Sequence, residues 1–226
     1  MLKEKEDITL LKNDMQLIQK KEGFRFSVDP VLLSDFFDYN KKGKILDIGT
    51  GNGIIPILLL SKNKGEKIVG IDIQAESCEL AKRNIVLNSL NEKIEIVNCD
   101  IKDYPYGNSF DYIVSNPPYM KLDGKKQNDY ESKSIARHEV KLNLEELIKN
   151  AKRLLKPIGS FTIVHRSYRF TEICRALEDC GFSLKRVKFV HFSREKNSNL
   201  VLIEAFKGKK CKLEIEPPVF LEESGY

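Results

Sequence analysis

Lys44-Ile45-Leu46-Asp47-Ile48-Gly49-Thr50-Gly51-Asn52-Gly53 is a short apolar strand running into glycines at alternate positions. Glycine is needed where backbone takes positive φ or approaches a ligand closely. Ile54 to Leu60 then reads as the opening of a buried helix, with Pro56 in the first turn, where a missing N–H costs little. Strand, glycine loop and helix together make a ligand crevice at the carboxyl end of a parallel sheet. Two rivals fail on spacing. Counted from Gly49, the sixth position is Ile54, so the third glycine of a G-x-G-x-x-G dinucleotide fingerprint arrives one residue early. No Lys followed by Ser or Thr closes a phosphate loop either.

The next strands carry acids at their ends. Lys67 to Ile73 ends in Asp72, whose carboxylate can accept from both hydroxyls of a ribose or can cap the helix that starts near Glu76. Ile94 to Ile101 ends in Asp100, able to accept from the exocyclic amine of an adenine, with Ile73 and Ile101 as apolar covers for the ring. The fourth run, Phe110 to Ser115, stops at Asn116-Pro117-Pro118-Tyr119. Each proline fixes its own φ and pushes the preceding residue toward extended backbone. The corner therefore offers two fixed acceptors, the Asn116 side-chain oxygen and the Pro117 carbonyl, with the flat ring of Tyr119 beside them. Such an arrangement suits a planar group carrying an NH2, although Asn-Pro and Pro-Pro are also plain turn punctuation.

This constellation resembles the class I S-adenosylmethionine-dependent methyltransferases. The resemblance implies an α/β, Rossmann-like, seven-stranded and mostly parallel sheet with helices on both faces and a reversed last strand. It also implies S-adenosyl-L-methionine as cofactor: Asp47, Gly49, Gly51 and Gly53 on its methionine portion, Asp72 on the ribose, Asp100 at the adenine, and Asn116 at the methyl end. The N-P-P-Y corner resembles that of the amino-group methyltransferases, which act on adenine N6, guanine N2 or a glutamine amide. Gly23 to Asp29, Ala136-Arg137-His138-Glu139 and Val164-His165-Arg166 resemble one branch, the tRNA(Val) adenine-N6 methyltransferases, which modify the adenine next to the anticodon, position 37. That family pattern runs slightly past Gly225-Tyr226. The resemblance makes Asn116, Pro117 and Tyr119 catalytic, and Tyr119, Lys121, Lys125, Lys126, Arg137 and Arg166 contacts to a tRNA substrate.

Bulk properties bound these readings. The 226 residues suit one globular domain with a short extension, and 41% hydrophobic content fills a core. No apolar run approaches the ~20 residues of a membrane span, and the charged start Met1 to Asp7 has no signal-peptide core. Five cysteines without C-x-x-C spacing and three histidines without ligand spacing predict a reducing cytoplasm, no disulfide framework and no metal. The net charge is +5; residues 1–113 hold 16 Lys+Arg against 18 Asp+Glu, and residues 114–226 hold 22 against 15. The basic excess sits in the half that follows the Asn116 corner, and nucleic acid would be drawn to such a face, although a lysine-rich solvated surface gives the same count. A monomer or weak dimer is expected.

Along the chain, residues 1–40 read as a hairpin turning at Asn13-Asp14 and a capped helix from Asp29, with Pro30 at its first position. This extension is either a lid, with Phe26, Ser27 and Asp29 near the methyl end, or a cover for the sheet face. Residues 41–226 form the methyltransferase domain. Within it, Gly124 to Glu139 is a polar, basic loop carrying Lys125, Lys126, Lys133 and Arg137, long enough to be functional or disordered. An amphipathic helix over 142–155, a fifth strand over 160–164, a helix over 170–180 and an antiparallel pair over 183–192 and 199–206 complete the domain.

The chemistry implied is methyl transfer to an exocyclic nitrogen. Release-factor glutamine methyltransferases are an alternative, but usually carry an N-terminal helical domain for which the 43 residues before Lys44 leave little room. Guanine-N2 rRNA methyltransferases, with their duplicated or added domains, are another; a cofactor-binding module without catalysis has no use for the corner.

Overall fold

The structure, a computed structural model, describes residues 2–21, 27–39, 42–118 and 143–224. The N-terminal hairpin pairs β1 (Glu6–Leu10) with β2 (Gln16–Lys20), antiparallel, and turns through Asn13 and Asp14 at φ 61° and 58°. Asn and Asp tolerate that left-handed region better than other side chains, which is why the turn was legible. Helix α1 (Asp29–Phe36) has Pro30 in its first turn but no side-chain cap. Asp29 lies inside the helix and is buried, with Ser27 Oγ accepting its N–H at 3.4 Å, so the expected cap at its start is not formed.

The main sheet follows. Its parallel half is β3 (Lys44–Ile48), β4 (Lys67–Asp72), β5 (Ile94–Asn98) and β6 (Phe110–Ser115), joined through α2 (Ile54–Ser61) and α3 (Ala75–Leu87). Helix α4 (Leu144–Leu154) starts with a capping box, in which Asn143 Oδ1 accepts from Glu146 N–H and Glu146 accepts from the Asn143 N–H. Then come β7 (Leu155–Arg166), α5 (Phe170–Asp179), β8 (Phe182–His191) and β9 (Ser198–Lys207). The strand order is β8-β9-β7-β6-β3-β4-β5, with β9 antiparallel to both neighbours and the others parallel. These are the seven strands and the reversal expected from the sequence.

Two departures are local. The two-residue strands β10 (Glu214–Ile215) and β11 (Val219–Phe220) add parallel pairing to the outer edge of β8 and make the sheet nine-stranded. Strand β7 starts five residues earlier than expected and slips register against β6, with exposed Ile158 at φ 67°.

One face of the sheet packs Leu32 and Leu33 of α1, Ile57 of α2, Ala81 and Ile85 of α3, and Leu17 of the hairpin. The other packs Leu147 and Ile148 of α4 and Ile173 and Leu177 of α5. Alternate burial on both faces, as at Ile45 and Leu46 of β3, is what a central parallel strand requires. From β3 the chain builds outward through β4 and β5, then returns to place β6 on the other side of β3. The switch point between β3 and β6 is where a doubly wound sheet opens its ligand crevice.

Candidate active site

The loop after β3 sits at this switch point. Gly49, Gly51 and Gly53 take φ of +74°, +56° and +81°. A side chain at Gly49 or Gly51 would meet no atom of the described residues within 4 Å, so these glycines answer to backbone conformation. Gly53 answers to packing as well, since its Cβ would lie 3.3 Å from that of Ala81 in α3. The loop is tied down by Gly49 and Thr50 N–H donating to the Ile71 carbonyl at 2.9 and 3.0 Å, and by Gly53 N–H donating to Thr50.

Asp72 closes the loop from the next strand. Its Oδ2 accepts the Gly51 N–H and its Oδ1 the Gln74 N–H, both at 2.9 Å. Gln74 is itself the N-cap residue of α3, so Asp72 is bound to the glycine loop rather than serving as a first-turn helix cap.

Asp47 is fully buried, and among the described residues neither carboxylate oxygen has a partner at hydrogen-bonding geometry. Burial pushes its carboxyl up to about 7; the neighbouring Thr50 hydroxyl opposes the shift and the Asp72 charge adds to it. Thr50 Oγ1 is likewise buried and, among the described residues, has no partner at hydrogen-bonding geometry; it is wedged toward β4, where Gly70 leaves room for it. An orphaned buried carboxylate beside positive-φ glycines fits a ligand that brings a cationic amine together with hydrogen-bonding groups. The methionine portion of S-adenosylmethionine is such a ligand.

The other expected contacts sort by position. Ile73, just past the end of β4, is 39% exposed, whereas Ile101 is 4% exposed and packed against the α4 side of the core. Asp100 accepts the Lys102 N–H at 3.0 Å through Oδ1 and caps the short turn Ile101–Asp103. Asn116 and Pro117, half-buried, follow β6 directly. Ser115, paired with Ile48, donates its hydroxyl to the Ile48 carbonyl at 2.9 Å, which locks the start of the corner against the start of the glycine loop. Arg166 ends β7, the next strand, and donates to Asn199 Oδ1 at 3.2 Å. Tyr119, Lys121, Lys125, Lys126 and Arg137 lie outside the described residues, as do Phe26 and the whole Gly124 to Glu139 loop.

Three further residues shape the site without having been singled out. Thr50 and Ser115 are small polar residues with no motif of their own. Asn84 of α3 donates to the Asn52 carbonyl at 2.9 Å. His165, of the Val164-His165-Arg166 stretch and 1% exposed at the end of β7, has its pKa lowered to about 3 by burial and by the Arg169 guanidinium 3.3 Å from Nε2. A base that weak holds no proton at neutral pH.

Residues 28–190 match the family described as Methyltransferase small domain. The tRNA1(Val) (adenine(37)-N6)-methyltransferase of Phocaeicola vulgatus is 32% identical over 209 residues, 88% of this chain and 86% of that protein. The protein of the same name from a Flavobacteriaceae bacterium is 31% identical over 146 residues, and there the match spans only 61% of the relative's length. Among solved structures, a SAM-dependent methyltransferase from Aquifex aeolicus superposes with a TM-score of 0.56 at 22% identity, over 79% of this chain and 89% of that one. TYW2 of P. horikoshii in complex with MeSAdo does so with 0.65 at 13% identity, over 92% and 73%. At such identities the likeness is one of fold. With the glycine loop, its strand-end acids and the Asn116-Pro117 corner on adjacent strands, the chain belongs to the Methyltransferase small domain family and is a class I S-adenosylmethionine-dependent methyltransferase.

Proposed function

We propose that the protein methylates the exocyclic N6 of an adenine in tRNA, and specifically the adenine at position 37, beside the anticodon of a valine tRNA. The observation that supports the reading is the Ser115–Ile48 hydrogen bond, which ties the residue before Asn116 and Pro117 to the residue before Gly49. The names of relatives matched across most of this chain favour tRNA adenine over a glutamine amide or guanine.

Bound S-adenosylmethionine supplies an electrophilic methyl group on a sulfonium. Asp47, Gly49 and Gly51 would hold its methionine portion, Asp72 its ribose hydroxyls, Asp100 its adenine amine, and Ile73 would cover the ring. The protein's own part at the acceptor is geometric. An adenine amine is a poor nucleophile because its lone pair is delocalised into the ring. Accepting its two N–H bonds at the Asn116 side chain and the Pro117 carbonyl favours pyramidal nitrogen and aims the lone pair at the methyl group. Most of the acceleration is then orientation and electrostatics. Tyr119 stacks on the base once it has left the RNA stack, and Lys121, Lys125, Lys126, Arg137 and Arg166 engage the phosphates. No strong general base is needed, because the methylated, cationic amine sheds its proton readily; His165 is too weak a base to be one. The enzyme acts where tRNA is, in the cytoplasm.

The test is incubation with labelled S-adenosylmethionine and unmodified tRNA, release factor or rRNA, followed by nucleoside mass spectrometry. N6-methyladenosine at position 37 of valine tRNA is expected. Label in a glutamine of release factor, or in guanine, would overturn the assignment.

A further inference from the structure

Asn84, in the last turn of α3 and 0% exposed, makes three side-chain hydrogen bonds in two directions. Toward the N-terminal hairpin, its Oδ1 accepts the Ile18 N–H at 2.7 Å and its Nδ2 donates to the Ile18 carbonyl at 3.1 Å. Toward the cofactor loop, the same Nδ2 donates to the Asn52 carbonyl at 2.9 Å. One helical turn on, Asn88 repeats the first pattern on Gln16, with Oδ1 accepting its N–H at 2.8 Å and Nδ2 donating to its carbonyl at 2.7 Å. The two amides thus present to the outer edge of β2 the alternating donors and acceptors of a neighbouring strand. Asn88 spends its second Nδ2 proton on the Asn84 carbonyl, within α3. Only Asn84 reaches the loop.

We propose that Asn84 is a positioning residue for the cofactor loop, and that through it docking of the N-terminal hairpin and cofactor binding favour one another. The side-chain amide is planar, so the direction of the Nδ2–H bond to Asn52 is set by the pair of bonds to Ile18. With the hairpin docked, the Asn52 carbonyl is held between Gly51, whose N–H is taken by Asp72, and Gly53, which is seated on Ala81. With the hairpin undocked, a buried amide loses two of its three partners and is free to rotate, and the loop loses its fixed point. Linkage makes the coupling reciprocal: a ligand that orders the loop must strengthen hairpin docking by the same factor. Two further polar ties of the hairpin to α3, the paired Arg83–Glu6 bonds at 2.7 and 2.6 Å and the exposed Lys20–Glu76 ion pair, are made away from the loop. They offer a way to loosen the hairpin alone.

The experiment is calorimetric titration of the full chain with S-adenosylhomocysteine, together with hydrogen exchange over residues 16–20, with and without the ligand. It needs no methyl acceptor, so its outcome is independent of which acceptor the enzyme uses. Asn84→Asp keeps the acceptor for Ile18 and loses both donations. Its Kd is expected to rise about tenfold, with kcat at saturating cofactor changed less than KM. Arg83→Met, which frees the hairpin without reaching the loop, is expected to raise Kd by a smaller factor. Asn88→Ala should loosen Gln16 and move Kd least. In the wild type the ligand should slow exchange at Ile18, and in Asn84→Asp it should not. A folded Asn84→Asp with a wild-type Kd overturns the proposal. Should that variant not fold, an Ile18 exchange rate unmoved by ligand in the wild type, or an unchanged Kd in Arg83→Met, overturns it equally.

Discussion

The carboxylate of Asp72 accepts the backbone N–H of Gly51 at 2.9 Å, so the acid at the end of β4 holds the shape of the loop that follows β3. A hydrogen bond to a charged group contributes about 1.5–3 kcal/mol, roughly ten- to hundredfold in a binding constant. Asp72→Asn should therefore raise the Kd for S-adenosylhomocysteine by at least tenfold and speed exchange of the Gly51 amide. Titration and hydrogen exchange on the same preparation test both halves. Weakened binding with an unchanged loop would assign Asp72 to the ligand alone.

The corner after β6 predicts the opposite separation. In the proposed function Asn116 offers its side-chain oxygen to the methyl acceptor, and it follows β6 rather than belonging to the glycine loop. Asn116→Ala should lower single-turnover methylation by roughly 10²–10³-fold or more, the scale of removing one preorganised electrostatic group. Its Kd for S-adenosylhomocysteine should stay within about twofold of wild type. Substantial surviving turnover would sink the catalytic assignment.

Asp47 predicts a pH dependence whose sign is fixed by burial. Its carboxyl is raised from 3.8 to about 7 in the folded protein, so between those values the folded chain holds a proton that the unfolded chain has released. The stability it contributes is fully present below pH 3.8 and is lost as pH rises through 7. His165 works against it: with its pKa lowered from 6.5 to about 3, its contribution is present above 6.5 and lost as pH falls. The Asp47 part is isolated by comparison with Asp47→Asn. Between pH 5 and pH 8 the melting temperature of wild type should fall relative to that variant. Bound S-adenosylhomocysteine, whose amine can compensate the carboxylate, should reverse the trend. A constant difference across the range would contradict the assignment.

What the sequence disclosed follows from how local each signal is. The strand from Lys44, the alternate glycines, the acids at Asp72 and Asp100 and the prolines after Asn116 all act through their own backbone or the next few residues. Their places were therefore readable. Asn84 was not, because a lone amide in a helix has the pattern of a solvent-facing residue, while its partners lie 66 and 32 residues away. Ile101 read as a strand-end cover for adenine, yet it turns into the core as the first residue of a short turn, an outcome that depends on where α4 packs. Ile158 offers no signal at all: a β-branched residue at φ 67° opposes its own propensity, and only the register slip of β7 against β6 accounts for its place. Strands β10 and β11 are too short to carry a periodic pattern.

Arg186 was also invisible in the sequence, where it reads as one more surface cation on an alternating strand. Its Nε donates to Glu204 at 2.6 Å, its Nη1 to Glu216 at 2.8 Å and its Nη2 to the Phe36 carbonyl at 3.0 Å, at the last residue of α1. The guanidinium also lies 4.5 Å from the centre of the Phe36 ring. One side chain thus joins β9, the segment at β10 and the helix that follows the hairpin. Glu204 is 3% exposed, so removing the arginine strands a buried charge, which costs about 3–5 kcal/mol. Arg186→Met should be destabilised by that order in chemical denaturation. Arg186→Met combined with Glu204→Gln should recover much of the loss, because no carboxylate is then left unpaired in the interior. If the double variant is as unstable as the sum of the single ones, the pair does not act as a unit and α1 is held by its apolar contacts to α2.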